Sequence, residues 1–180
     1  QNKQKIMSEC NYLVISGSNS HIRTIEVPDM DTIPYGKSLF NKISKIIRLF
    51  KNKHILGICY GSQILYKYYG GTCVYHKDVY GNVSIEEDKQ IYFTKKEQIF
   101  KNVNVNNKFN FRRNILLDTN NKPKKIKNIS YDKTIINKTT HNNISGFKIN
   151  NKIYGLIFHP ESSINTGGLQ IFKNFLRDPS

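Results

Sequence analysis

The chain has 180 residues, of which 38% are hydrophobic and 23% charged, a length and balance typical of a folded protein with one core. We therefore expect residues 1–180 to form a single domain. No run of about 18 apolar residues is present, and the polar, basic start lacks the apolar stretch of a secretory signal, which argues against membrane insertion. The three cysteines, Cys10, Cys59 and Cys73, are too few and too widely spaced for a disulfide framework. They favour a reducing, cytoplasmic setting.

The positive charge admits two interpretations. Lys and Arg outnumber Asp and Glu by 28 to 13, for a formal net charge of +15. The lysines are spread along the whole chain among many Asn and Ile residues, which favours the codon bias of an AT-rich genome over a functional basic surface. The charge still predicts nonspecific attraction to nucleic acid at low salt. The basic stretch Lys122–Lys127 is interpreted as a solvated loop.

The first half of the chain alternates strands and helices. Tyr12–Ile15 is a short apolar strand that runs into the small-residue loop Ser16–Ser20. Lys37–Phe50 has apolar residues at helical spacing, His54–Ile58 is a second buried strand, and Gly61–Tyr69 is a helix that ends before two glycines. This order predicts a parallel sheet with helices on its faces.

The second half has shorter, more polar elements. Three stretches of alternating residues predict antiparallel or edge strands: Val83–Ile85, Gln90–Phe93 and Phe109–Phe111. Asp118–Lys127 is polar and is expected to be a surface loop. Lys152–Phe158 returns to the pattern of a buried strand, and Gly167–Arg177 predicts a helix that packs on the sheet.

The most informative segment runs from Gly57 to Gln63 and reads Gly-Ile-Cys-Tyr-Gly-Ser-Gln. A strand ends at Ile58 and a helix starts just after Cys59. Glycines on both sides permit the cramped strand-to-helix turn on which an elbow-mounted nucleophile sits. The N-terminus of the helix favours a thiolate over a thiol, and its free N–H groups point toward an oxyanion that forms beside the sulfur.

A base for this nucleophile is predicted at His159. It also follows a buried strand, so it is expected at the same carboxyl edge of the parallel sheet as Cys59. Glu161, two residues later, can accept the second imidazole N–H and fix the tautomer. The three residues together predict a Cys-His-Glu triad.

Gly57-x-Cys-x-Gly-x-Gln63, followed by Phe158-His-Pro-Glu161, resembles the class I (triad) glutamine amidotransferases, and the resemblance runs from Tyr12 to Leu176. It implies a flavodoxin-like α/β fold with a mostly parallel sheet and helices on both faces. It also implies that Cys59 attacks the side-chain amide of L-glutamine. His159 then acts as base and protonates the departing ammonia, while Glu161 orients His159.

The same resemblance implies further binding roles. The backbone N–H of Tyr60, and that of Gly17 or Ser18 in the small-residue loop, are expected to form the oxyanion hole. Gln63 is expected to help hold the substrate. No cofactor or metal is implied for the glutaminase step, because protein groups supply all of its chemistry, and any ATP or Mg²⁺ would belong to a synthetase partner.

Within the family, the nucleophile segment looks most like the glutaminase part of GMP synthase, an enzyme of purine biosynthesis. The segment from His159 to Ser162 also looks like the anthranilate synthase subunits. We therefore expect ammonia to pass to a separate synthetase subunit or domain. A free-standing γ-glutamyl hydrolase, or a non-catalytic binding protein that retains the fold, remains an alternative.

Two features depart from the family pattern. Only roughly a dozen residues precede the loop at Ser16, so the fold is expected to lack the family's first strand-helix-strand unit. The stretch Phe111–Asn114 falls where the family has a Ser-His pair that contacts glutamine, and it has no such pair.

Other candidate residues are assigned structural roles. His54 is expected at the surface or an edge, and Cys10 and Cys73 as ordinary thiols. His21, His76 and His141 have no metal-ligand partner at a useful spacing. The tyrosines after the nucleophile are expected in packing and rim positions: Tyr66, Tyr68 and Tyr69.

Overall fold

The structure is a computed structural model. It describes residues 5, 9–17, 35–75, 85–94, 96–113, 115–120, 122–136, 138–162 and 167–177. Its helices within these ranges are α1 (Tyr35–Leu49), α2 (Tyr60–Tyr68) and α3 (Gly168–Leu176), with a short 3₁₀ helix at Gln98–Phe100. The helices predicted from periodicity are each confirmed to within two residues at either end.

The strands, numbered in chain order, are β1 (Tyr12–Ile15), β2 (His54–Ile58), β3 (Cys73–Tyr75), β4 (Ile85–Gln90), β5 (Tyr92–Phe93), β6 (Lys108–Arg113), β7 (Ile115–Leu117), β8 (Lys127–Ile136), β9 (Thr139–Lys148) and β10 (Ile153–Leu156). Six of them form one sheet in the order β1-β2-β10-β9-β8-β5. Strands β1, β2 and β10 are parallel, and β9, β8 and β5 continue the sheet in antiparallel pairing. The predicted α/β fold class is confirmed.

Helices cover both faces of the parallel strands. His54 of β2 contacts the ring of Phe175 in α3, at 6.3 Å between centroids. On the same strand, the Cα of Gly57 faces Leu65 of α2. Because successive residues of a strand point to opposite faces, positions 54 and 57 show that α3 and α2 lie on opposite sides of the sheet. This arrangement brings the carboxyl ends of β1, β2 and β10 together at one edge.

Two small antiparallel sheets lie outside the six-stranded sheet. One pairs β3 with β7 and the other pairs β4 with β6. The antiparallel character predicted for the strands after Thr72 is therefore confirmed. The sequence did not predict the long hairpin of β8 and β9, because β9 begins with polar residues that are exposed and alternate with no apolar face.

The core corrects one expectation and supports another. His54 was expected at the surface or an edge, but it is buried, since β1 and α3 cover it with the rings of Tyr12 and Phe175. Tyr66 is fully buried against Phe147, as the packing role predicted. His21 and His76 lie outside the described residues.

At one end of the six-stranded sheet, among the described strands, lies β1. The expectation that a first strand-helix-strand unit is absent concerns the chain before β1, and residues 1–4 and 6–8 are outside the described ranges. It stays a prediction, as does the single-domain division. No helix in the described part of the chain is long and apolar enough to cross a membrane.

Candidate active site

Cys59 occupies the sharp turn between β2 and α2. Its backbone has φ 50° and ψ −110°, a conformation that side chains other than glycine rarely adopt and that costs on the order of 1–3 kcal/mol. The turn is held on both sides: the N–H of Cys59 donates to the carbonyl oxygen of Leu156 at 2.8 Å, and the N–H groups of Ser62 and Gln63 donate to the carbonyl oxygen of Cys59. The predicted elbow geometry is confirmed.

Two glycines let α2 approach the sheet closely enough to form this elbow. A Cβ atom added to Gly61 would lie 2.0 Å from the carbonyl oxygen of Ile15, and one added to Gly57 would lie 2.6 Å from the carbonyl oxygen of Gly61. Neither position has room for a side chain. The first turn of α2 therefore rests directly on the backbone of β1 and β2, and Cys59 is held at the sheet's carboxyl edge.

His159 and Glu161 follow β10 at the same edge. The Nδ1 atom of His159 lies 2.6 Å from Oε1 of Glu161. The imidazole is largely buried, with 12% of its side chain exposed, whereas the Glu161 side chain is 40% exposed. The carboxylate thus holds one ring nitrogen, which directs Nε2 elsewhere. The side chain of His159 also forms a hydrogen bond with Cys59.

These neighbours change the proton affinity of His159. Burial by itself lowers the pKa of the imidazole, but hydrogen bonds to Cys59 and Glu161, together with their negative charges, outweigh burial and raise the pKa from 6.5 to about 9. At neutral pH the imidazole is therefore protonated. Such a cation stabilises a thiolate at Cys59.

Gly17, at the end of β1, contacts both partners of this pair. A Cβ atom added to Gly17 would lie 3.0 Å from Cε1 of His159 and 3.5 Å from Cβ of Cys59. The structure thus brings Gly17 to the site, as the small-residue loop predicted. Ser18, the other candidate for that loop's oxyanion donor, lies outside the described residues.

Tyr60 and Gln63 belong to the first turn of α2. The backbone N–H of Tyr60 is among the first amides of the helix, which have no intrahelical acceptor. Its hydroxyl is buried, and burial raises its pKa. Gln63 lies one helical turn after Cys59, is 4% exposed, and its Oε1 has no hydrogen-bond partner in the described part of the chain.

Sequence reasoning missed Asn110 as a neighbour of the site. The N–H of His159 donates to the carbonyl oxygen of Asn110 at 2.8 Å, and the two residues form an antiparallel bridge. Phe109 and Phe111 pack on Phe158, with ring centroids 4.8 and 5.8 Å away. The alternation Phe-Asn-Phe was the available signal, since it places Asn110 on the face opposite the two buried rings.

The described residues contain no cluster of three or more His, Cys, Asp or Glu side chains that could hold a metal ion. Cys10 is an exposed thiol, and Cys59 and Cys73 are buried thiols. His141 is exposed on β9.

Comparison with known proteins agrees with this geometry. The family model described as "Glutamine amidotransferase class-I" matches residues 4–179, nearly the whole chain. The chain belongs to the class I glutamine amidotransferase family. Its strand order and elbow are therefore those of an amidotransferase domain.

Several relatives of this amidotransferase are named GMP synthase (glutamine-hydrolysing). The protein from Borreliella burgdorferi is 30% identical over 168 residues, which cover 91% of this chain and 27% of the relative. That from Dictyostelium discoideum is 30% identical over 98% of this chain and 22% of the relative. Anthranilate synthase component 2 of Methanothermobacter marburgensis is 29% identical over 80% of the chain and 67% of the relative. The chain thus spans about a quarter of the length of the GMP synthases it matches.

Solved structures share the fold. A Thermoplasma acidophilum protein, described as one candidate subunit of GMP synthase, superposes with a TM-score of 0.72 at 21% identity, over 96% of this amidotransferase chain and 74% of the other. A glutamine amidotransferase from Thermotoga maritima gives a TM-score of 0.61 at 21% identity, over 94% and 65% of the two chains. At these identities the structures support the fold alone.

Proposed function

We propose that this chain hydrolyses L-glutamine to L-glutamate and ammonia through a thioester on Cys59. One observation carries the proposal: a cysteine in a strained elbow forms a hydrogen bond with a histidine that a carboxylate holds 2.6 Å away. A structural cysteine needs neither the strained backbone nor the paired base. Nucleophilic acyl transfer uses both.

In the first half-reaction, the Cys59 thiolate attacks the side-chain carbonyl carbon of glutamine and a tetrahedral oxyanion forms. The N–H groups of Tyr60 and of Gly17 or Ser18 stabilise that oxyanion. The imidazolium of His159 then gives its proton to the departing nitrogen, the carbon–nitrogen bond breaks, and ammonia leaves. A pKa of about 9 suits this step, because the proton is already on the ring at neutral pH.

In the second half-reaction, neutral His159 takes a proton from water, which attacks the thioester carbonyl. The carbon–sulfur bond breaks, and Cys59 returns as a thiolate beside protonated His159. Glu161 holds the ring throughout by accepting the Nδ1 hydrogen bond. Gln63 is placed to bind the substrate from α2. All groups of this cycle come from the protein, so we propose no metal or cofactor for the glutaminase step.

We further propose that the ammonia passes to a synthetase of the GMP synthase type. Support comes from the relatives named GMP synthase, each of which is several times longer than the matched segment. ATP and Mg²⁺ would be requirements of that partner. The free thiols of Cys10, Cys59 and Cys73 suit a reducing compartment, and we propose the cytoplasm.

The test is ammonia release from L-glutamine by the purified chain, with Cys59→Ala as the control. Release by the parent chain that vanishes in Cys59→Ala supports the proposal. Mass spectrometry should also find Cys59 alkylated by the diazoketone analogue of L-glutamine. If neither release nor alkylation occurs, with or without an added GMP synthetase domain, the chain is a non-catalytic protein that retains the fold.

Dependence on the partner separates a synthetase subunit from a free-standing γ-glutamyl hydrolase. The former should release ammonia faster when the synthetase domain is added, because docking completes its site. A hydrolase should be equally active alone and should also cleave γ-glutamyl peptides. That second result would overturn the partner proposal while leaving the thioester mechanism intact.

A further inference from the structure

Three side chains form a row across the active-site edge. Asn110 of β6 is bridged to His159 on one side and is paired in register with Asp88 of β4 on the other. Residues directly opposite each other in antiparallel strands carry their side chains on the same face, with Cβ atoms about 5 Å apart. The catalytic imidazole, the amide of Asn110 and the carboxylate of Asp88 therefore share one face.

The row is ordered and becomes more exposed outward. The side-chain amide of Asn110 donates to Oδ1 of Asp88 at 3.3 Å, which turns the carboxylate toward His159. His159 and Asn110 are half-buried, whereas Asp88 is exposed. A ligand that lies along the row thus meets a buried reactive end and a solvated, negatively charged outer end.

L-Glutamine has the length and charge to fit this gradient. Its reacting carbonyl carbon is separated from its α-ammonium by four bonds, about 5 Å when extended. With the amide at Cys59 and His159, the ammonium reaches about one strand spacing outward, to the gap between Asn110 and Asp88. In a chain with 28 basic and 13 acidic residues, a carboxylate at that point is a distinctive feature of the charge pattern.

We propose that Asp88, positioned by Asn110, binds the α-ammonium of the glutamine substrate and makes the site selective for amides of α-amino acids. This inference rests on the proposed glutaminase function and assigns the part of substrate recognition for which the sequence has no Ser-His pair. A carboxylate attracts the ammonium by a charge-assisted hydrogen bond. The equivalent amide lacking an α-amino group gains nothing from Asp88.

The experiment compares two diazoketones as labels for Cys59: the analogue of L-glutamine and the same compound without its α-amino group. Mass spectrometry gives the labelling rate for each, and their ratio reports recognition of the ammonium. In Asp88→Asn the ratio should fall about 10-fold. The matched control is Glu87→Gln, which removes the same charge from the opposite face of β4, where Glu87 pairs with Lys89 at 2.7 Å. Its ratio should equal that of the parent chain.

The outcomes separate the two proposals. An unchanged ratio in Asp88→Asn, or equal falls in both variants, overturns the role of Asp88 while labelling of Cys59 still supports the glutaminase. Labelling of the parent chain by iodoacetamide but by neither diazoketone overturns the glutaminase and the inference that rests on it.

Discussion

The Nδ1 atom of His159 lies 2.6 Å from Oε1 of Glu161, and this contact helps to hold a proton on a largely buried imidazole. Burial opposes the charge, so the pKa of about 9 depends on the two acidic neighbours, Cys59 and Glu161. The charge state of the site is therefore set by contacts that single substitutions can remove.

Replacing Glu161 by Gln should lower the pKa of His159 from about 9, because the negative charge that favours the imidazolium is lost. NMR titration of the imidazole measures this shift directly. We expect kcat/KM for L-glutamine to fall about 100-fold, since the ring loses both its orientation and its charged partner. An unchanged titration midpoint would show that Cys59 alone sustains the raised pKa.

The same pair makes the stability depend on pH. Because the pKa of His159 is higher in the folded state than its ordinary value of 6.5, protonation stabilises the fold fully below pH 6.5. That contribution is lost as the pH rises through about 9. Urea unfolding across this window should show a falling free energy of unfolding, and Glu161→Gln should show a smaller fall. Parallel curves for the two proteins would contradict the assignment.

Gly17→Ala should impair the site without unfolding the chain. The new Cβ would lie 3.0 Å from Cε1 of His159, so the ring must shift by a few tenths of an ångström. A displacement of that size at the reacting groups should lower the rate of Cys59 labelling by the glutamine diazoketone about 10-fold. Ser16→Ala, at the exposed preceding residue, is the control and should label at the parent rate. Equal rates in all three proteins would mean that Gly17 does not constrain the imidazole.

Cys59→Gly and Cys59→Ala should be equally inactive but differ in stability. Both lack the thiol, and only glycine relieves the backbone strain at φ 50°. After allowing for the greater flexibility of glycine in the unfolded chain, we expect Cys59→Gly to be more stable than Cys59→Ala by about 1 kcal/mol. Urea denaturation of the two variants measures this difference. A less stable glycine variant would contradict strain at the elbow.

Gly61→Ala should destabilise the fold strongly. Its Cβ would lie 2.0 Å from the carbonyl oxygen of Ile15, a backbone atom that cannot move aside without parting α2 from β1, so we expect a loss of about 3 kcal/mol or more. Gly70→Ala is the matched control. The nearest heavy atom there is 3.5 Å away, and the cost is limited to a φ of +91°, about 1 kcal/mol. Similar losses in thermal unfolding of both variants would contradict the close packing of α2.

The sequence by itself determined the local elements and the chemistry-bearing residues of this protein. Buried strands, amphipathic helices and the glycine-flanked Cys59 are written in spacings of a few residues, and each reflects local backbone preference and burial. His159 and Glu161 followed from the same logic, because residues after parallel strands meet at one edge of the sheet. The expected α/β architecture was confirmed on that basis.

Only the tertiary structure decided which distant residues join them. The β8–β9 hairpin escaped prediction because its polar strands are held by pairing with each other and with β10, and not by an apolar face of their own. The row His159–Asn110–Asp88 depends on the register of three strands that are far apart in the chain. Register is fixed by long-range hydrogen bonds and by the packing of Phe109 and Phe111 on Phe158, so no local pattern contains it.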